Sequence, residues 1–354
     1  MVNKIKYTKT VHVYDYSKTK LDKMFLEWKM ECDGGEYSNS RMTFGELAEI
    51  WMKNYCETGF SPVVSRNYKR ILKNWILPRF GNIQLANITP IMISRFLEKL
   101  KSSYTTYAYR ENHLLANGSI KKIYNVLRDV IKLAYRNDII SKDPCAKVKF
   151  EPRKEIVENT EVHTWDIAEY NEALKLLSKE DNDYALVVET ALKTGLRRSE
   201  IFGLAWEDVD LTNNSINIVR TRQKSGKDMV ILPCKTQSSV RKLSIPVSLA
   251  VKLKKLHQKN MNTTYVFENV DCDAATSWYR NWAKVNGLTR IRFHDLRHTH
   301  ATLLLSQGID IKTIANRLGH SNISTTLNTY AHVLDELDRS ATDALEKISN
   351  YACE

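Results

Sequence analysis

Four patches in the second half of the sequence hold side chains that could act together on a phosphate. "TGLRRSEIFGLAWEDVD" puts Arg197 and Arg198 just after a glycine at a helix junction, and "CKTQSS" puts Lys235 at the tip of a β-turn. "HDLRHTHATLLL" sets His294 and Arg297 three apart, on one face of a helix. "LGHSNISTTLNTYAHV" supplies His320 and, ten residues on, Tyr330. Each has a bland reading when taken alone. An arginine after a glycine is more often a surface or ion-pairing residue. A turn lysine is more often simply solvated, and a histidine beginning a helix can cap or pack. Tyr330 is one of seventeen tyrosines and can bury its ring against Leu327 and Val333.

The combination fits one chemistry. Displacement at a DNA phosphodiester builds negative charge on the non-bridging oxygens, which two guanidiniums can hold bidentately at any working pH. An imidazole can add a hydrogen bond or accept the nucleophile's proton. Arg197, Arg297 and His294 are of those types. A lysine beside cations can have its pKa lowered enough to protonate the leaving 5′-oxygen, which suits Lys235, although Lys224 and Lys227 in the neighbouring hairpin turn compete for that role. A phenol becomes a useful nucleophile where cations favour its phenolate, and it conserves the bond energy as a phosphotyrosyl ester. Tyr330 suits that role. No metal or cofactor is expected: Asp208 and Asp210 lack a third carboxylate at useful spacing, and turn chemistry accounts for them.

The elements that must carry these residues read mainly as helices. Thr43 with Glu46 three residues on is a capping-box signature for "TFGELAEIWMKNY", and Ser61 with Pro62 opens "SPVVSRNYKRILKNWILPRFG". "TPIMISRFLEKLKSS" and "SIKKIYNVLRDVIKLAYRND" follow as a third and fourth amphipathic helix. Beyond a stretch without sustained period, "INIVRTRQ", "DMVILPCKT" and "RKLSIPV" are expected to form a three-stranded antiparallel sheet. The formal charge of +12 is localised. Residues 61–150 carry seventeen Lys and Arg against five Asp and Glu, whereas 1–60 and 151–354 are balanced. That points to a polyanion partner, nucleic acid above all, met by Arg66, Lys69, Arg70, Lys73, Lys121, Lys122 and Arg128. The six cysteines are scattered and read as reduced packing residues. No apolar run has the length of a membrane span and the start lacks the apolar core of a signal peptide, so a cytoplasmic protein working on DNA in a bacterial host is expected.

The order Arg, Lys, His-x-x-Arg, His, Tyr, in the motifs quoted, resembles the tyrosine recombinases, in the branch of phage and conjugative-transposon integrases, over about residues 43 to 335. The resemblance implies a mainly α fold with a small antiparallel β-sheet: a helical, SAM-like core-binding domain and a mixed α/β catalytic domain of the DNA breaking-rejoining type, embracing duplex DNA. Residues 1–41 are then a segment of unclear role, a remnant of an arm-binding domain, 42–150 the core-type DNA-binding domain, 151–162 a linker, 163–335 the catalytic domain and 336–354 a tail helix. Arg197, Lys235, His294, Arg297 and His320 become the catalytic set around the nucleophile Tyr330, with Glu200 supporting Arg197. The implied activity is site-specific recombination through a covalent 3′-phosphotyrosyl intermediate, integrating or excising a mobile element. The implied partners are double-stranded attachment sites, three further copies in a homotetramer on two sites, formed from a protein monomeric in solution, and an excisionase or host DNA-bending protein. A chromosome-dimer-resolving recombinase, a type IB topoisomerase and a catalytically silent DNA-binding regulator are the competing readings.

Overall fold

The structure, a computed structural model, describes residues 42–56, 59–104, 114–153, 163–226, 228–234 and 239–320, with Leu327 and Thr342. The 1–41 segment, Lys227, Lys235, Tyr330 and nearly all of the tail read at 336–354 therefore lie outside the described residues. The chain divides into two compact units, 1–158 and 159–354. Among the described residues the architecture is mainly α-helical with two small antiparallel sheets.

In the first unit, the Thr43 hydroxyl accepts from the Glu46 N–H and the Glu46 carboxylate accepts from the Thr43 N–H, so the expected reciprocal cap starts α1 (Phe44–Trp51). Pro62 stands at the first position of α2 (Pro62–Ile71), though the Ser61 hydroxyl makes no cap hydrogen bond. The helix does not stop there. A π-helical turn, Leu72–Ile76, leads into the short α3 (Leu77–Phe80), which contains Pro78; a proline lacks the N–H that the α-helical ladder needs, and the widened turn absorbs the mismatch. Helices α4 (Pro90–Lys101) and α5 (Asn117–Arg136) follow. Helix α5 buries Ile120, Ile123, Tyr124, Leu127, Val130, Ile131 and Ala134, a stripe at helical spacing, within a core that includes Phe44, Leu47, Ile76, Phe80 and Ile93. Arg153, inside the stretch read as linker, is anchored: its amide donates to the Asn117 side chain and its guanidinium to the carbonyls of Lys101 and Leu115.

The second unit wraps helices around α7 (Asp183–Thr194), whose Val187, Val188, Ala191 and Leu192 are all buried. Helices α6 (Ile167–Leu177), α8 (Arg198–Phe202), α9 (Val247–Lys259), α10 (Cys272–Val285) and α11 (Asp295–Ser306) pack on it, and α12 (Ile311–Leu318) packs on α11. Its buried Glu189 is compensated by ion pairs with Lys193 and Lys252, so the helix can sit at that centre.

The β-prone block differs from the single sheet expected. Strands β1 (Val209–Asp210), β2 (Ser215–Ile218) and β5 (Arg241–Ser244) form one antiparallel sheet in the order β1-β2-β5. Strands β3 (Arg220–Ser225) and β4 (Asp228–Pro233) form a separate hairpin. "INIVRTRQ" thus changes partners at Val219. Ile216 and Ile218 face the core, whereas every residue of β3 is half-buried, so burial holds β2 in the main sheet and releases the hairpin toward α8. Gly203, at the end of α8, allows that approach: a Cβ there would lie 2.8 Å from the Arg220 carbonyl oxygen and 2.9 Å from the Thr221 Cα. Gly203→Ala is expected to cost about 1–3 kcal/mol by overpacking. Gly118→Ala, at a helical position with nothing within 4 Å of the added carbon, is expected to leave stability unchanged or raise it. Urea-unfolding midpoints of the two variants check this contrast.

Candidate active site

Arg197 closes a three-residue break between helices. Gly195 ends α7 with φ +67°, and a Cβ on it would meet His300 Cδ2 at 2.6 Å and Leu318 Cδ2 at 2.9 Å. Both the backbone conformation and the packing call for glycine. Buried Leu196 follows, and Arg197 becomes the N-cap residue of α8. Its amide donates to Glu200 Oε2 (2.9 Å) and its Nη1 to Glu200 Oε1 (2.7 Å), so one carboxylate fixes both ends of the residue. The same guanidinium reaches the carbonyls of Leu318 (3.5 Å) and Gly319 (3.3 Å). Its side chain stays 34% exposed, which leaves it within reach of a ligand.

Arg297 lies in the first turn of α11 and is buried; Nη1 donates to the Gly195 carbonyl (2.8 Å) and Nη2 to the Leu318 carbonyl (2.7 Å). The structure thus brings Arg197 and Arg297 to one turn, Leu318–Gly319, and His320 is the next residue. His294 is the N-cap of α11. The residue is exposed although its ring packs edge-on against His298, with centroids 5.3 Å apart. Desolvation of the ring, followed by the charge of Arg297, pushes the His294 pKa down. His320 is pushed down to about 4 by burial and then by Arg297 and Arg197. Both imidazoles are therefore neutral near pH 7, the form that can accept a proton or a hydrogen bond.

The end of α12 is the common anchor. Gly319 takes φ +69° and its N–H returns to Asn316, while the His320 N–H returns to Ala315. The next three carbonyls, of Arg317, Leu318 and Gly319, accept from Arg241, from Arg297 and Arg197, and from Arg197. Arginines thereby satisfy helix-end acceptors that would otherwise be orphaned, at the negative end of the helix dipole. Arg317 fastens the helix from its own side, donating from Nε to His300 Nε2 (3.1 Å) and from Nη2 to the Ser244 carbonyl (3.1 Å). His300 is buried with Nδ1 2.8 Å from the Leu192 carbonyl, and burial pushes its pKa down to about 3. It is a neutral strut, donating at Nδ1 and accepting at Nε2.

Sequence reasoning singled out Arg197, His294, Arg297, His320 and Glu200 as site residues but not Arg241 or Arg317. A lone arginine in "RKLSIPV" or "ANRLGH" carries no pattern that separates it from a surface cation. Glu200 is buried, and burial pushes its carboxyl up; the hydrogen bonds and charge of Arg241, with the charge of Arg197, outweigh that and hold it below the usual range. Lys224 donates to Asp271 (2.7 Å), and that bond, partly offset by desolvation, with the charges of Asp271 and Asp273, raises its pKa. An ammonium so held is a poor proton donor, which weakens its competition with Lys235. Arg198 turns away to Asp273 and Thr276 on α10. Asp210 accepts from Thr212 and Asn213 in a turn, while Asp208 lies 3.5 Å from Arg220. In the first unit Arg66, Lys69, Arg70, Lys73, Lys121 and Lys122 are exposed, and Arg70 and Lys122 line a groove of about 400 Å³ with Tyr68 and Trp75. Arg128 is half-buried over the Tyr124 ring, 6.0 Å from its centroid.

Residues 166–336 match the phage integrase family, and residues 43–101 match the phage integrase N-terminal SAM-like domain. The ICEBs1 integrase of Bacillus subtilis is 26% identical over 322 residues, covering 87% of this chain and 83% of that protein. Tyrosine recombinase XerC of Staphylococcus saprophyticus is 30% identical over 261 residues, covering 69% and 80%. Among solved structures, the Tn1549 transposon integrase in complex with a circular intermediate DNA superposes with a TM-score of 0.66 at 19% identity, covering 86% of this chain and 99% of that one.

Two stability predictions follow from the buried groups. Between pH 6.5 and about 3 the unfolded chain binds a proton at His300 that the folded chain refuses, so stability falls as pH drops through that window. His298 and His320, each down to about 4, act with the same sign. Glu200 adds its share below 4.5, where the unfolded carboxyl protonates before the folded one. The unfolding midpoint is expected to decline steadily from pH 7 to pH 4, less steeply in His300→Gln; a flat profile contradicts the assignment. Glu200→Ala strips the buried Arg241 of its carboxylate and is expected to cost about 3–5 kcal/mol, read by chemical denaturation.

Proposed function

This chain belongs to the phage integrase family of tyrosine recombinases, which are DNA strand-exchange enzymes, and from that premise we propose that Tyr330 is its nucleophile and Arg197, Lys235, His294, Arg297 and His320 its catalytic set. The protein is a site-specific recombinase that integrates or excises a mobile element. The observation that carries the residue assignment is the convergence of Arg197 and Arg297 on the Leu318–Gly319 carbonyls, with His320 next in the chain.

Five N–H donors allow a guanidinium to hold protein carbonyls and phosphate oxygens together. Arg197 and Arg297 grip the non-bridging oxygens of the scissile phosphate and stabilise the charge that builds there. The Tyr330 oxygen attacks phosphorus as its proton passes to neutral His294. The bond to the 5′-oxygen breaks as Lys235 protonates it, and His320 holds a non-bridging oxygen. The products are a 3′-phosphotyrosyl ester and a free 5′-hydroxyl. Attack of the partner strand's 5′-hydroxyl on that ester reverses the chemistry and rejoins the strands, with no net change in bond type.

The partner is double-stranded DNA at attachment sites, bound by a homotetramer on two sites that forms from monomers, with an excisionase or a host DNA-bending protein setting direction. Basic residues exposed on α2 and α5 of the 42–150 domain support the DNA assignment, as does the Tn1549 integrase, which was solved on DNA. The chromosome-dimer-resolving alternative is not favoured, since the ICEBs1 and Tn1549 integrases each match more than four-fifths of the chain.

A suicide duplex nicked beside the cleavage position, so that the freed end diffuses away, tests the nucleophile. Covalent protein on DNA is expected from the parent chain and none from Tyr330→Phe with DNA affinity retained; an adduct that survives Tyr330→Phe removes Tyr330 from the role. Lys69→Ala and Lys121→Ala are expected to weaken DNA binding and lower the slope of log K against log salt by about one each, without abolishing cleavage. Unchanged slopes take those lysines off the phosphates.

A further inference from the structure

We propose that Arg241, on β5, is a positioning residue for strand cleavage: it locks Glu200 and the carboxyl end of α12 in the arrangement that aims Arg197. The inference rests on the reading of Arg197 as a phosphate ligand. Arg241 itself is unsuited to that duty, since four of its five N–H groups already donate to protein acceptors. Nη1 and Nη2 fork onto Glu200 Oε1 (3.3 Å) and Oε2 (3.0 Å), Nε donates to the Arg317 carbonyl (2.7 Å) and Nη1 also donates to the Ser239 carbonyl (3.0 Å).

The same two carboxylate oxygens hold Arg197, Oε1 by its Nη1 and Oε2 by its amide. Glu200 is therefore a bridge with one arginine on each side. The outer arginine is half-exposed and the inner one sealed in, so the inner one fixes the plane of the carboxylate and the outer one inherits it. Through Arg317 the same side chain holds the helix end whose carbonyls steady both Arg197 and Arg297. Gly319 completes the seat: a Cβ there would fall 2.7 Å from Arg241 Nη1, so the turn closes directly over the guanidinium. A lysine in its place would keep the charge but could not fork onto Glu200 and reach Arg317 at once.

The test uses the full chain, a nicked suicide duplex carrying the attachment-site core, and Arg241→Met and Arg241→Lys. Single-turnover adduct formation and DNA affinity are measured separately. Each is repeated on a duplex whose scissile phosphate is a methylphosphonate, where a methyl group replaces one charged oxygen and the need for a well-aimed guanidinium drops. Both variants are expected to form adduct about ten- to a hundredfold more slowly on the phosphodiester, as removal of an outer-shell partner typically does. Affinity should hold within about threefold, and the rate deficit should shrink to about threefold or less on the methylphosphonate, as for Arg197→Ala. Rates equal to the parent's, or a deficit of the same size on both substrates, overturn the inference, the second outcome marking general disruption. Arg241→Lys keeps the buried charge and serves if Arg241→Met does not fold. A parent chain that forms no adduct sinks the active-site reading itself, whereas a Tyr330-dependent parent matched by the Arg241 variants sinks the positioning role alone.

Discussion

Guanidiniums repel one another, and this site gathers four of them around the last turn of α12. Arg197, Arg241 and Arg297 donate to its successive carbonyls, and Arg317 belongs to the turn itself. Two things make that packing possible. One is the buried carboxylate of Glu200, shared by Arg197 and Arg241; the other is the run of helix-end acceptors that no backbone N–H can reach. A positive cluster assembled this way is held by protein acceptors without a ligand, the preorganisation that stabilising a charged transition state demands.

The glycines of the site follow from the same constraint. Gly195 turns the chain out of α7 against His300 and Leu318, and Gly319 turns it out of α12 against Arg241. Each has positive φ, and each supplies a carbonyl that an arginine uses. His300 and Arg317 hold these two turns together from behind, through Leu192 and Ser244. The motif "LGH" is thus a geometric unit: a leucine carbonyl for two arginines, a glycine that fits beneath a third, and a histidine delivered to the same place.

Much of this was legible in the sequence, for identifiable reasons. Arg197 follows a glycine in "TGLRRSE", Arg297 follows His294 at helical spacing and His320 follows "LG", so their local patterns mark them. Thr43 and Glu46 gave away the first helix because capping is a short-range interaction. Arg241 and Arg317 were not legible, because their meaning lies in partners 41 and 76 residues distant. The split of the β block was hidden for a related reason. "INIVRTRQ" is one β-prone run, and only burial of Ile216 and Ile218 against the core shows that its two halves belong to different sheets. Lys224 competed with Lys235 in the sequence, and its bonds to Asp271 and Asp273, far along the chain, could not be read there.

On the reading proposed above, the α12 turn holds Arg197 and Arg297 ready for one phosphate. A crystal structure of the Tyr330→Phe protein on an uncleaved attachment-site duplex tests it most directly. Both guanidiniums are expected within hydrogen-bonding distance of the non-bridging oxygens of the same phosphate, with their bonds to Leu318 and Gly319 intact. Finding them on different phosphates, or finding the carbonyl bonds broken to reach one, would contradict it.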